Sequence, residues 1–168
     1  MNGPCAGVPS LDELSAEAAA EALLRCCGSK RWVEAMLEAR PFGTRERLHS
    51  AARSTWWSLD EDDWLEAFAA HPRIGDVDVH ERWSKSEQAG VDASAPDAAR
   101  ELERRNEAYE TRFGFVFLIC ATGLDLERIR EALDARLDRT REEELRAAAE
   151  EQANITALRL DRLLAETC

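Results

Sequence analysis

Three segments of this chain carry the same helix-starting signature: Ser10-Leu11-Asp12-Glu13, Ser58-Leu59-Asp60-Glu61 and Thr140-Arg141-Glu142-Glu143. In such a box the hydroxyl accepts from a backbone N–H of the first turn, and the glutamate reaches back to the N–H of the capping residue. Apolar residues follow each box at helical spacing, and little of the chain alternates as a half-buried strand would. Burial of those residues therefore requires helix packed on helix.

The first box predicts a helix running to about Cys27, with Gly28 suited to its C-terminal cap. Ser29 starts a second, with Trp32 and Met36 on one face and Pro41 as its stop. Thr44 begins a third, with Leu48, Ala52 and Trp56 inward. The second box opens a short helix that carries Leu65, Phe68 and Ala69 inward and stops at His71-Pro72. Ser94-Ala95-Pro96-Asp97 starts another, supported by Leu102 and Tyr109 and ending near Phe113-Gly114. Phe115 to Cys120 is an apolar run that reads equally as strand or buried helix. After a turn at Gly123, Leu126, Ile129, Leu133 and Leu137 form a stripe. The third box then opens a long final helix with Leu145, Ile155, Leu158 and Leu163 among its apolar positions. Pro4, Gly7 and Pro9 make residues 1–10 a flexible arm. The expectation is an all-α fold, a single-domain compact helical bundle of roughly seven to nine helices over residues 11–168.

A formal net charge of -12 on 168 residues opposes non-specific attraction to nucleic acid or an anionic membrane. A site for a small anion then needs its own arginine or histidine. Hydrophobic content of 45% excludes a wholly disordered chain. The cysteines (Cys5, Cys26, Cys27, Cys120, Cys168) are odd in number, two are adjacent, and no CxxC occurs, which argues against a disulfide framework or a zinc ribbon. No basic segment followed by an apolar run opens the chain, and Phe115 to Ala121, the longest apolar run, is far too short for a bilayer. Ala165 to Cys168 matches no peroxisomal tripeptide. A cytoplasmic protein with no nucleic-acid or membrane partner is expected.

Chemistry concentrates around His71-Pro72-Arg73-Ile74-Gly75. Proline lacks an N–H and biases the residue before it away from the α region, so His71 occupies a non-helical corner with a side chain that titrates near neutrality. The bland alternative is a histidine that caps the preceding helix through a backbone carbonyl. Glu87 is distinguished by its company: Ser84, Ser86 and Gln88 offer donors and acceptors, and Ala89-Gly90 allow close backbone approach to an amide- or urea-like ligand. An ordinary capped helical turn is its competing reading. Arg159 falls beside the apolar stripe of the last helix, where it either snorkels to solvent or offers its planar fork to a carboxylate. Asp76, Asp78, His80 and Glu81 alternate near His71 without any strict ligand spacing, so no metal is expected. No G-x-S-x-G elbow, P-loop or GxGxxG is present. The tryptophans (Trp32, Trp56, Trp57, Trp64, Trp83) read as core and interface residues, not ligand stackers.

Taken in order, Cys27-Gly28-Ser29 with Trp32, Arg40-Pro41-Phe42, Ala67 through Gly75, Ser84 with Glu87-Gln88-Ala89-Gly90, Asn106-Glu107-Ala108-Tyr109, Phe113 through Gly123, Glu144-Leu145, and Ile155-Thr156 with Leu158-Arg159-Leu160 form an ordered set. That set resembles the 2-oxo-4-hydroxy-4-carboxy-5-ureidoimidazoline (OHCU) decarboxylases, from about Leu11 to Leu164. The resemblance implies a cofactor-independent carboxy-lyase of urate (purine) degradation that makes (S)-allantoin, an all-α fold, a homodimer, and a possible functional link to hydroxyisourate hydrolase. It matches His71 and Glu87 to the catalytic pair. It matches Pro72, Ser84, Lys85, Ser86, Gln88, the Phe117, Leu118, Ile119, Cys120, Ala121 segment, and Arg159 to ligand-holding positions. The chain departs from the pattern at Asp138, where asparagine is expected, and its Gly75-to-Ser84 segment looks shorter than in some relatives. A metal-dependent ureide hydrolase and a non-catalytic helical interaction module are the alternatives from other classes.

Overall fold

A computed structural model of the chain describes residues 7–74 and 96–166. Among the described residues all regular structure is helical: α1 (Gly7–Glu13), α2 (Ala16–Cys26), α3 (Lys30–Glu38), α4 (Arg45–Ser58), α5 (Glu61–Ala69), α6 (Pro96–Phe113), α7 (Leu126–Leu137) and α8 (Arg141–Glu166). They form two compact units, one of Met1–Ala67 with Ala153–Cys168, the other of Phe68–Gln152, so the boundaries fall inside α5 and inside α8.

In the first unit, α2 packs on α3, α3 on α4, and α1 on α4. Where the sequence predicts one helix up to Cys27, the chain breaks after Glu13 and restarts at Ala16. Ser15 supplies the new cap, its hydroxyl accepting from the Ala18 N–H at 3.2 Å. The Arg40 guanidinium takes the carbonyls of Asp12 and Leu14 at 2.6 and 2.5 Å, satisfying the end of α1. Ser10 lies within α1, which takes in residues 7–10 of the segment expected as a flexible arm; Val8 is buried there. Residues 1–6 lie outside the described residues.

Ser29 and Thr44 cap α3 and α4 as expected, accepting from Trp32 and Arg47 N–H groups. Trp32 and Met36, and Leu48, Ala52 and Trp56, are the buried stripes of those helices. The Trp32 indole donates to the Ala52 carbonyl at 3.1 Å, tying α3 to α4. Trp57 and Trp64 are half-buried, and Trp83 lies outside the described residues. The second predicted box is displaced: Asp60, not Ser58, accepts from the first turn of α5 (Asp63 N–H, 3.3 Å), and the Ser58 hydroxyl turns back to the Thr55 carbonyl. With that start, α5 buries Ala67 and leaves Ala69 exposed. Cys26 and Cys27 are buried, and burial pushes both thiols up to about 12.

In the second unit, α6 packs on α7. α6 ends at Phe113, and Gly114 takes φ 84°, a left-handed turn that favours glycine. The run after it is neither strand nor helix. Its order comes from side chains. Phe115, Phe117, Leu118 and Ala121 are buried, and the rings of Phe113, Phe115 and Phe117 surround Tyr109 with centroids 4.7–5.9 Å away. A charged cluster completes the anchoring. Glu144 is fully buried, accepts from the Tyr109 hydroxyl and pairs with Arg136. Arg136, itself 5% exposed, also donates to the Leu118 carbonyl at 2.5 Å and lies 4.7 Å from the Phe117 ring centre. The Tyr109 phenol is raised by burial and by its bond to the glutamate. In α7 the stripe buries Ile129 and Leu133, with Arg136 as its third buried member. The third predicted box forms in full: the Thr140 hydroxyl accepts from Glu143 N–H at 3.2 Å and Glu143 accepts from Thr140 N–H at 2.9 Å.

Two stability predictions arise here. Thr140→Ala lowers the unfolding free energy in urea by about 1 kcal/mol. Arg136→Met lowers it by about 3 kcal/mol, because the buried Glu144 carboxylate loses its buried partner and keeps only the half-exposed Arg139 at 3.5 Å, and adding Glu144→Gln recovers part of the loss.

Candidate active site

His71 sits two residues past the end of α5 and is half-buried. Its backbone N–H closes the turn on the Phe68 carbonyl at 3.0 Å, so the bland capping role falls to the main chain. The imidazole does something else: its Nε2 lies 2.7 Å from the Gln152 Oε1. The residues after it are also pinned. Arg73 makes a two-pronged pair with Glu110 of α6 at 2.6 and 2.8 Å, and Asn106, buried one turn earlier, donates to the Ile74 carbonyl at 3.3 Å. Half-buried Pro72 thus lies in a corner held from both sides by α6 and α8.

The Phe117–Ala121 segment belongs to the same unit. Three of its backbone groups are committed to the protein: the Leu118 carbonyl to Arg136, the Cys120 N–H to the Glu151 carboxylate at 2.7 Å, and the Ala121 carbonyl to the Leu124 N–H at 3.0 Å. Val116, Ile119 and Cys120 are half-buried. A non-helical segment with this much side-chain anchoring keeps its remaining peptide groups in fixed directions, as recognition of a ring amide needs.

Arg159 belongs to the other unit. It is 5% exposed, which rules out snorkelling, and its Nη1 donates to the Arg25 carbonyl at 3.2 Å. That unit also holds a cleft of ≈ 110 Å³ lined by His49, Ala52, Arg53, Trp56, Ala153, Thr156 and Ala157. Beside it, Asp161 joins the His49 Nε2 at 2.7 Å and the Arg45 guanidinium at 2.9 and 2.7 Å. Burial acts to raise the Asp161 carboxyl, but the Arg45 and His49 hydrogen bonds hold it below the usual range. None of the predicted site residues lines this cleft.

Glu87, Ser84, Lys85, Ser86 and Gln88 lie outside the described residues, as do the acidic positions weighed for a metal, Asp76, Asp78 and Glu81, with His80. The sequence reading missed Gln152, Glu151 and Glu110. Gln152 left a signal, being a polar residue at the helical spacing of Leu145, Ala148 and Ala149, all buried. Among the described residues no group of three or more His, Cys, Asp or Glu side chains is placed to hold a metal ion, and no helix is long and apolar enough to cross a membrane.

Comparison with known proteins adds a separate line of argument. The uric acid degradation bifunctional protein TTL of Arabidopsis thaliana is 36% identical over 149 residues, 84% of this chain. This chain spans 46% of that protein's length. A 2-oxo-4-hydroxy-4-carboxy-5-ureidoimidazoline decarboxylase of Halalkalicoccus jeotgali is 30% identical over 126 residues, 74% of this chain and 72% of that protein. A crystal structure of OHCU decarboxylase in the presence of (S)-allantoin superposes with a TM-score of 0.76 at 34% identity, covering 90% of this chain and 99% of the other. The family model described as OHCU decarboxylase matches residues 12–161, and the chain belongs to that family.

Proposed function

We propose that the chain is a carbon–carbon lyase that decarboxylates 2-oxo-4-hydroxy-4-carboxy-5-ureidoimidazoline to (S)-allantoin in urate degradation. Family membership supports the reaction. The observation that carries the reading is His71, a titratable ring held half-buried on a pinned, non-helical corner.

The substrate explains why so little machinery is needed. Its carboxylate sits on a carbon that also bears a hydroxyl, next to a ring C=N. As CO2 leaves, the electron pair of the breaking C–C bond flows into that imine, the hydroxyl carbon becomes a carbonyl, and a proton is taken up at the new stereocentre. The substrate is its own electron sink, the role a cofactor fills in other decarboxylases. The protein must turn the carboxylate out of the conjugated plane, exclude water and deliver the proton to one face. In this reading His71 polarises the hydroxyl or carboxylate and handles the proton. Glu87 holds the ureido or ring N–H groups and tunes His71. Pro72, the Ser84, Lys85, Ser86 and Gln88 stretch, and peptide groups of the Phe117–Ala121 segment frame the ligand, while Arg159 anchors an anionic or carbonyl oxygen. The same reading makes the chain a cytoplasmic homodimer with a functional link to hydroxyisourate hydrolase; sedimentation equilibrium at the mass of a monomer would contradict the dimer.

The reaction is testable by generating the unstable intermediate in situ from urate, adding protein with a chelator, and following optical rotation. Rapid appearance of dextrorotatory allantoin is the expected result. Chelator-sensitive release of ammonia or urea would mark a metal-dependent hydrolase instead. His71→Ala and Glu87→Gln are expected to stay folded and to slow the reaction by about a hundred- to ten-thousand-fold; near-wild-type turnover in either variant removes that residue from the mechanism.

A further inference from the structure

A neutral imidazole has one nitrogen that donates and one that accepts, and a hydrogen bond at one nitrogen decides which proton state the other has. At His71 that bond is made by a fully buried side chain. Gln152 is 0% exposed, and its carbonyl oxygen lies 2.7 Å from Nε2. A carbonyl oxygen accepts only, so Nε2 carries the hydrogen, and in the neutral ring Nδ1 then keeps its lone pair. The Gln152 side chain projects from the interior of α8, where the next residue back, Glu151, is itself engaged by the Cys120 N–H at 2.7 Å. Consecutive residues of a helix point about 100° apart. One turn of α8 therefore holds both the histidine ring and the backbone of the irregular segment. Arg73, the nearest cation along the chain from His71, is occupied by its two-pronged pair with Glu110.

We propose that Gln152 is a positioning residue that holds His71 as the Nε2–H tautomer, leaving Nδ1 as the nitrogen that exchanges a proton with substrate. The proposal rests on the decarboxylase reading for what His71 does, but the tautomer itself is a property of the unliganded protein. An amide rotated the other way would donate to Nε2 and select the opposite tautomer.

The test uses full-length protein labelled with 15N and long-range 1H–15N correlation of the imidazole rings, with His71 assigned by its loss in His71→Ala. In the wild type, above the pH at which the ring titrates, Nε2 is expected to show the protonated shift and Nδ1 the unprotonated one. Gln152→Glu keeps an accepting oxygen and is expected to keep that pattern; Gln152→Leu is expected to average the two nitrogens. In turnover, Gln152→Leu is expected to lose about tenfold or more in kcat with little change in KM, and Gln152→Glu to recover most of it. An Nδ1–H pattern in the wild type overturns the proposal, and this spectrum decides it even where Gln152→Leu fails to fold. A pattern unchanged in folded Gln152→Leu overturns it too, as does an unchanged kcat beside a lost tautomer. A protein with the Nε2–H pattern but no decarboxylation contradicts the proposed reaction and leaves the tautomer assignment standing.

Discussion

The ion pair that most of the second unit depends on is Arg136 with Glu144. A carboxylate with no exposed surface is costly unless it is paired and hydrogen-bonded. Here it gathers the Tyr109 hydroxyl from α6 and the Arg136 guanidinium from α7, and it is itself carried by α8. Arg136 also donates from Nη1 to the Leu118 carbonyl and sets its flat face near the Phe117 ring. One buried charge thus fixes three helices and a segment that has no ladder or helix of its own. A segment with regular hydrogen bonding would have its path set by a helix or ladder; here side chains set that path instead.

The corner at His71 follows the same logic at smaller scale. Proline ends the helix and forbids its continuation. Arg73–Glu110 and Asn106–Ile74 then hold the exit of the turn, and Gln152 holds the ring. The histidine is oriented by α6 and α8, the two elements that Glu144 also joins. Orientation of the proposed catalytic group and of the proposed ligand-holding backbone thus share one set of supports.

Much of this was legible in the sequence because it is local. Ser29, Thr44 and Thr140 cap helices where the pattern places them, since a cap needs only the residues of one turn. The same locality misled at Ser10 and Ser58. There Ser15 and Asp60 offer better-placed acceptors, and Arg40 reaches across to the Asp12 carbonyl to stabilise a break that no local rule contains. Phe115–Cys120 defeated periodicity because its order comes from Tyr109 and Arg136, whose partners lie far along the chain. The His-Pro corner was legible for the same reason as the caps. Its partners were not: Gln152 is 81 positions away and Glu110 is 37 from Arg73. A buried arginine in the α7 stripe likewise has a sequence signature indistinguishable from a solvated one.

The most direct measurement of the central claim, that substrate engages the His71 corner, is an NMR titration of the labelled protein with (S)-allantoin. The account predicts saturable shifts of the His71 ring and of amides within Phe117–Ala121. Shifts confined to the His49 and Arg53 cleft, with the His71 ring unmoved at saturation, would contradict it.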